Sequence, residues 1–129
     1  EAHKNISFMF NRSGKAPIFD LDREQMKRVM INLLDNAIEA MEGSGEVVID
    51  LAYDGVLKMV RIEVADNGPG IDSRNKARLF EPYFSTKKHG TGLGLAIVST
   101  IITDHDGFIR VKDNEPKGTK FVIELPTRT

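Results

Sequence analysis

"INLLDNAIEA" (residues 31–40) lies inside a segment patterned as an amphipathic helix and carries two asparagines, Asn32 and Asn36. Asparagine is a mediocre helix former, because its amide competes for backbone hydrogen bonds. With about 100° between successive residues, Met26, Met30, Leu33, Leu34, Ala37 and Met41 share one broad face and are expected to point into the core. Gln25, Asn32, Asn36 and Glu39 fall together along one border of that stripe. A carboxamide there is half sheltered and directed into the space between this helix and the next layer. Two readings stay open from these residues alone. The amides either hydrogen-bond neighbouring loops, or offer neutral oxygen to a hard cation such as Mg2+, which takes one or two protein oxygens with waters and substrate phosphates.

Working outward, Asp20 or Asp22 is positioned to cap the helix, with Glu24 in its first turn, and "EGSG" (42–45) stops it near Met41. Before it, "ISFMF" (6–10) and "APIFDL" (16–21) have the patterning of short strands joined by "NRSGK". After it, "EVVIDLAYD" (46–54) and "LKMVRIEVAD" (57–66) alternate as a hairpin around Asp54-Gly55. Regular patterning weakens from Asn67 to Gly94, where a short helix around "SRNKARLF" (73–80) precedes a loop rich in Lys, Gly and Thr. "LGLAIVSTIITDH" (93–105) predicts a second long helix closed by Gly107, and "FIRVKD" (108–113) with "TKFVIEL" (119–125) a second hairpin across "NEPKG". The order predicts an α/β two-layer sandwich, with a mixed, largely antiparallel sheet packed against about three helices.

The length of 129 residues suits a single domain spanning 1–129. With 40% hydrophobic and 29% charged residues the composition is that of an ordinary globular protein. A net charge of −1 offers no electrostatic reason to expect nucleic acid or an anionic membrane as partner. The absence of cysteine excludes disulfides, thiolate nucleophiles and cysteine-based zinc sites, and suits a reducing compartment. The longest apolar run, "LGLAIVSTII" (93–102), is about half of the roughly 20 residues that span a bilayer. No signal-peptide pattern opens the sequence, and its start at Glu1 leads us to expect a piece of a larger protein.

Two glycine signatures carry further chemistry. "DNGPGI" (66–71) follows directly from a predicted strand. Asp66 at a strand end is a fixed acceptor for an exocyclic amine, and Gly68 and Gly70 let backbone approach a flat ring. A plain turn explains the same residues equally well. "GTGLGLAIV" (90–98) sets three glycines at alternate positions before a helix, an arrangement that favours phosphate. It is neither the dinucleotide fingerprint nor a Walker A loop. Lys87 and Lys88 lie just upstream, within reach of a phosphate or simply solvated. The unpatterned connection is itself informative, since loops beyond about 12–15 residues are usually functional or disordered.

Taken in order, Asn-x-x-x-Asn on a helix, Asp-x-Gly-x-Gly after a strand, "LFEPYF" (79–84), Gly-x-Gly-x-Gly before a helix and then Gly118-Thr119 resemble the ATP-binding catalytic domain of sensor histidine kinases. These belong to the GHKL superfamily (Bergerat fold), with gyrase, the heat-shock chaperone ATPase and the mismatch-repair ATPase. The resemblance covers about Asp20 to Pro126, and "GTGLGLAIV" with "HDGFIRV" (105–111) is most similar to kinases of the nitrogen-regulation type. It implies that Asn36 holds the Mg2+ bridging the nucleotide phosphates and that Asn32 lines the same site. Asp66 would accept from the adenine amino group, with Gly68, Gly70 and Ile71 walling the base. Phe80 and Phe84 match the aromatic box anchoring a mobile ATP lid. Gly90, Thr91, Gly92, Leu93 and Gly94 match the second glycine box near the phosphates, and Thr119 a position close to Asp66 and adenine.

The same resemblance implies a cytoplasmic module of two-component signalling. It would bind Mg-ATP, release ADP, and phosphorylate a histidine on a separate dimerisation domain of the same protein, from which a response regulator takes the phosphate. The fragment would be monomeric, the intact protein a homodimer with any membrane anchor outside this chain. Two departures stand out. Where many relatives carry Lys three residues after the metal Asn, this chain has Glu39; after the aromatic box come Ser85 and Thr86 before Lys87, leaving phosphate neutralisation to Lys87 or Lys88. Hydrolysing relatives place a water-activating Glu where this chain has Asn32, a poor general base. That favours phosphoryl transfer over a hydrolysing ATPase of this superfamily. A serine kinase of the anti-sigma-factor type, or a domain that has lost nucleotide binding, would carry related motifs. His3, His89 and His105 lack the His-Glu/Asp helical context of the acceptor, so no catalytic residue is assigned within the chain.

Overall fold

The computed structural model describes residues 5–15, 21–84 and 93–127. The helix of the opening stretch is α1 (Arg23–Ala40), and its start follows from Asp22, whose Oδ1 accepts the Gln25 N–H at 3.0 Å. Its end follows from two successive residues in left-handed backbone, Glu42 (φ 51°) and Gly43 (φ 98°), which lead straight into β2 (Ser44–Asp54). The buried line along α1 is Val29, Leu33 and Ala37, while Met26, Met30 and Leu34 are only half-buried. The stripe is therefore rotated toward the asparagine border relative to the predicted face. That rotation brings Asn32 and Asn36 to the margin of the core, both half-buried.

β1 (Asn5–Ser13) is longer than predicted and pairs parallel with β2, a geometry that demands a crossover connection, which α1 supplies. Ile6, Phe8 and Phe10 share one face of β1, but only Ile6 is buried. The strand expected over 16–21 lies outside the described residues except for Leu21, which is in no strand. β2 and β3 (Met59–Asp66) form the predicted antiparallel hairpin, and Asp54 Oδ1 accepts the N–H groups of Val56 and Leu57 to shape its turn. The sheet order is β1-β2-β3-β5-β4, with β4 (Phe108–Asp113) and β5 (Thr119–Pro126) antiparallel. The predicted mixed, largely antiparallel sheet with helices on one face is thus the observed fold.

α2 (Ser73–Lys76) is only four residues long, shorter than the helix expected over 73–80; the chain then turns through Leu79 and Phe80. α3 (Gly94–Asp104) ends as predicted but by another device. Asp106, not Gly107, takes the left-handed conformation (φ 62°). The Gly107 N–H bonds the Ile102 carbonyl and the Asp106 N–H the Thr103 carbonyl, a Schellman closure. Gly107 is glycine because a Cβ there would meet the Glu124 carbonyl at 2.5 Å. His105 then joins the helices: its Nε2 accepts the Asp22 N–H at 3.0 Å while Nδ1 lies 2.8 Å from the Ile101 carbonyl. One neutral tautomer, with hydrogen on Nδ1, satisfies both bonds.

The core between helices and sheet is filled by Leu33, Val29, Val98 and Ile102 against Val47, Val64 and Ile123. The opposite face of the sheet carries Arg61–Glu124, Arg110–Glu124 and Lys120–Glu63 ion pairs. Such pairs contribute about 0–1 kcal/mol each, so stability resides on the helix side. Leu33, fully buried, should lose about 2–5 kcal/mol on replacement by Ala. Ile31, on the same helix and 51% exposed, should change by about 0.5 kcal/mol or less. Urea unfolding of Leu33→Ala and Ile31→Ala checks the assignment of faces.

Candidate functional site

The end of β3 is the centre of the site. Asp66 is buried, 4% exposed, although it carries a carboxylate. Oδ1 accepts the Gly68 N–H at 2.9 Å and the Thr119 N–H at 3.3 Å. Among the described residues Oδ2 has no such donor, and no sealed side-chain oxygen or nitrogen there is left without a partner. Oδ2 is therefore the oxygen of the carboxylate that is neither paired among the described residues nor fully sealed. The same reasoning applies to the Thr119 hydroxyl, on a residue equally buried. Burial pushes the Asp66 carboxyl above its ordinary value of 3.8, opposed by the Gly68 and Thr119 N–H groups.

The glycines around Asp66 are there for close approach. A Cβ on Gly68 would come within 3.1 Å of Asp66 Oδ1 and 3.3 Å of the Ala40 carbonyl. Gly70 (φ 86°) needs left-handed backbone, and a Cβ on it would touch the Gly118 carbonyl at 3.4 Å. Gly118 (φ 110°) is the most constrained, since its Cβ would overlap the Asp66 carbonyl oxygen outright. Ile71 is half-buried against the core beside this turn. Asn67 ties the same turn to the start of β2, its Oδ1 accepting the Glu46 N–H at 2.8 Å.

On the helix layer, Asn32 Nδ2 donates to the Gly94 carbonyl at 3.2 Å, joining the asparagine border of α1 to the first residue of α3. Asn32 thus bonds a neighbouring segment, the first of the two readings open to it. Asn36, a turn further along, has no side-chain hydrogen bond among the described residues, so its carboxamide is left available. At the start of α3 the Leu93 side chain makes no cap hydrogen bond. Phe80 packs edge-to-face on Phe121 with centroids 6.2 Å apart. Arg78 sits 4.5 Å over the Phe84 ring and 3.2 Å from Glu81. The segment leading toward the long loop is therefore fastened to the core at its near end.

Asp66, Gly68, Gly70 and Thr119 thus lie together where β3 ends, with Ile71 next in the chain, while Asn32 meets Gly94 where α3 begins, with Leu93 just before it and Asn36 one turn further along α1. Lys87, Lys88, Gly90, Thr91 and Gly92 lie outside the described residues. Sequence reasoning missed Asn114 and the role of Gly118, because "NEPKG" has ordinary turn chemistry; the contact of these residues with Asp66 is purely tertiary. Two other cavities, of about 290 and 390 Å³, are lined by residues such as Asn11, Asp50 and Glu63, and Tyr53, Leu57 and Met59. They include no predicted site residue.

A buried acid with a raised pKa has a definite pH signature. Below 3.8 Asp66 is protonated folded or unfolded and costs nothing; as pH rises through its raised native value, ionisation destabilises the fold. Asp66→Asn should therefore gain thermal stability relative to the ligand-free parent on going from acid to neutral pH. Melting curves across that range check this, and an advantage that stays flat means desolvation is not the dominant influence. Gly118→Ala should cost several kcal/mol, as forced backbone displacement and left-handed strain combine (~3 kcal/mol or more).

Comparison with known proteins gives the family. The family model described as histidine kinase-, DNA gyrase B-, and HSP90-like ATPase matches residues 21–129. The chain is 41% identical over 116 residues to the sensory histidine kinase/phosphatase NtrB of Rhodobacter capsulatus, over 81% of this chain but only 32% of NtrB. The nucleotide-free catalytic domain of histidine kinase ThkA superposes with a TM-score of 0.85 at 39% identity, covering 95% of this chain and 80% of that domain. Histidine kinase ThkA in complex with response regulator protein TrrA gives a TM-score of 0.81 at 35% identity, covering 96% of this chain and 35% of that one. The chain therefore belongs to the histidine kinase-, DNA gyrase B- and HSP90-like ATPase family, as a catalytic domain of the histidine-kinase kind.

Proposed function

We propose that this chain binds Mg-ATP at the Asp66 end of the layer interface and donates the γ-phosphate to a histidine on a separate helical dimerisation domain. The observation that supports it most is the half-committed carboxylate. Asp66 has one oxygen tied by two backbone N–H groups and the other without a donor among the described residues, in a chain whose family uses ATP. A fixed acceptor of this kind suits the amino group of adenine, with Gly68, Gly70 and Ile71 against the base and Thr119 beside it. The start of α3, Leu93 and Gly94, suits phosphate as a helix N-terminus, together with Gly90, Thr91, Gly92 and Lys87 or Lys88.

Asn36 would hold Mg2+, since its amide oxygen is a hard neutral ligand with no side-chain hydrogen bond among the described residues. Bound there, the ion would supply neutralisation of charge on the phosphates. The chain's own contribution is to position: purine at Asp66, phosphates at α3, with α1 and α3 tied by the Asn32–Gly94 bond. In the transfer, an acceptor imidazole nitrogen bonds the γ-phosphorus as the bond to the β–γ bridging oxygen breaks. ADP leaves, and the imidazole proton passes to a base outside this chain. Asn32, a neutral amide already donating to Gly94, is unsuited to activate water, which favours transfer over hydrolysis.

On this reading the chain is one module, residues 1–129, of a longer cytoplasmic or membrane-anchored homodimeric kinase that passes phosphate to a response regulator. Its Mg2+ dependence is the first test. Asn36→Ala should weaken nucleotide binding in Mg2+ by about tenfold or more and leave binding in EDTA unchanged. Asp66→Ala should erase about 10- to 100-fold of adenine-over-guanine preference, the worth of one hydrogen bond to a charged group. Given γ-labelled ATP and a helical hairpin bearing a His-Glu or His-Asp pair, the chain should produce acid-labile phosphohistidine. Acid-stable label on a regulatory protein, or steady ADP release without acceptor, overturns the kinase reading.

A further inference from the structure

The turn between β4 and β5 is fastened to the main chain of Asp66 at several points. Asn114 Nδ2 donates to the Asp66 carbonyl oxygen at 2.8 Å. The Asn114 N–H closes the turn on the Gly118 carbonyl at 3.0 Å. Gly118 lies so near that same Asp66 carbonyl that no side chain fits between them. The next residue, Thr119, donates its N–H to Asp66 Oδ1 at 3.3 Å. One turn therefore holds both parts of Asp66, its carbonyl through Asn114 and its carboxylate through Thr119. A second, separate tether joins the turn to α2, where Lys76 Nζ is 2.7 Å from Asp113 Oδ1.

We infer that Asn114 is a positioning residue for purine specificity, acting through the Asp66 main chain and the Thr119 N–H to fix which way the Asp66 carboxylate faces. The inference rests on the reading that Asp66 accepts the amino group of adenine. Of the two donors to Oδ1, Gly68 is two residues away in the same turn and moves with Asp66. The Thr119 N–H comes from another strand, so it alone references the carboxylate to the rest of the fold. Asn114 sets that distance, because it anchors the turn that delivers Thr119. Adenine presents a donor where guanine presents a carbonyl acceptor. A carboxylate held in one rotation rejects guanine by facing its oxygen; one free to turn away tolerates it.

The test compares ADP and GDP binding to this chain in the parent, Asn114→Leu and Lys76→Met. Leucine keeps the side-chain volume and removes the donor, while Lys76→Met releases the same turn without touching Asp66. The expected result is a tenfold or greater fall in the ADP-over-GDP preference of Asn114→Leu, with the preference of Lys76→Met unchanged. Equal weakening of both nucleotides, or an unchanged ratio, overturns the inference and leaves the purine assignment standing. A parent chain with no adenine preference removes the basis of both. In case Asn114→Leu does not fold, the side-chain amide resonances of Asn114 in the parent provide the same decision. They should shift on addition of ADP but not GDP, and resonances indifferent to ADP overturn the inference.

Discussion

The contact on which the site depends is the approach of Gly118 to the main chain of Asp66. Two strands that are neighbours in the sheet, β3 and β5, converge there until a single methyl group could not be inserted. That closeness lets the Thr119 N–H reach the Asp66 carboxylate, and with the Gly68 N–H it partly offsets the cost of burying a charge. The offset is incomplete, as the raised pKa shows. A carboxylate kept under strain of this kind, with one oxygen unspent, is a common property of sites that await a ligand.

α1 serves two purposes with one helix. Its buried line of Val29, Leu33 and Ala37 is a core element, and the rotation of that line toward the asparagines places two amides at the core margin. One amide is used internally, bridging to Gly94; the other makes no side-chain hydrogen bond among the described residues. At the opposite end of the helix pair, His105 and Asp22 make the corresponding link. Bonds near both ends of α3 thus hold it against α1, so the start of α3 sits at a defined place on that helix. Phosphoryl transfer asks a protein mainly for such positioning, and the family to which the chain belongs is consistent with that demand.

Much of the fold is legible in the sequence because burial imposes periodicity. The 3.6-residue pattern of α1 and α3, the alternation in β2, β3 and β5, and the Asp54 and Asp22 turn and cap chemistry each follow from local rules. Asp66, Gly68, Gly70 and Thr119 are also legible as candidates, because glycines and an acid at strand ends are unusual enough to mark. What misleads is chemistry with two local explanations. Gly107 has the residue type of a left-handed helix terminator, whereas Asp106 fills that role and Gly107 is small because β5 passes against it. Helical propensity in "SRNKARLF" overstates the four-residue α2, since it does not reveal where the chain must turn to bury Leu79 and seat Phe80 on Phe121.

By itself, then, the sequence determined most of the long helices and strands, which residues can cap and turn, and which motif residues belong to this family. These are properties of near neighbours along the chain, governed by backbone geometry and side-chain periodicity. The tertiary structure decided the rest: that β1 runs parallel to β2 across α1, that Asn32 is spent on Gly94, and that Asn114 and Gly118 enclose Asp66 from 48 positions away or more. Those facts depend on distances between residues remote in sequence. Such distances are set only when the whole core closes, so no local pattern carries them.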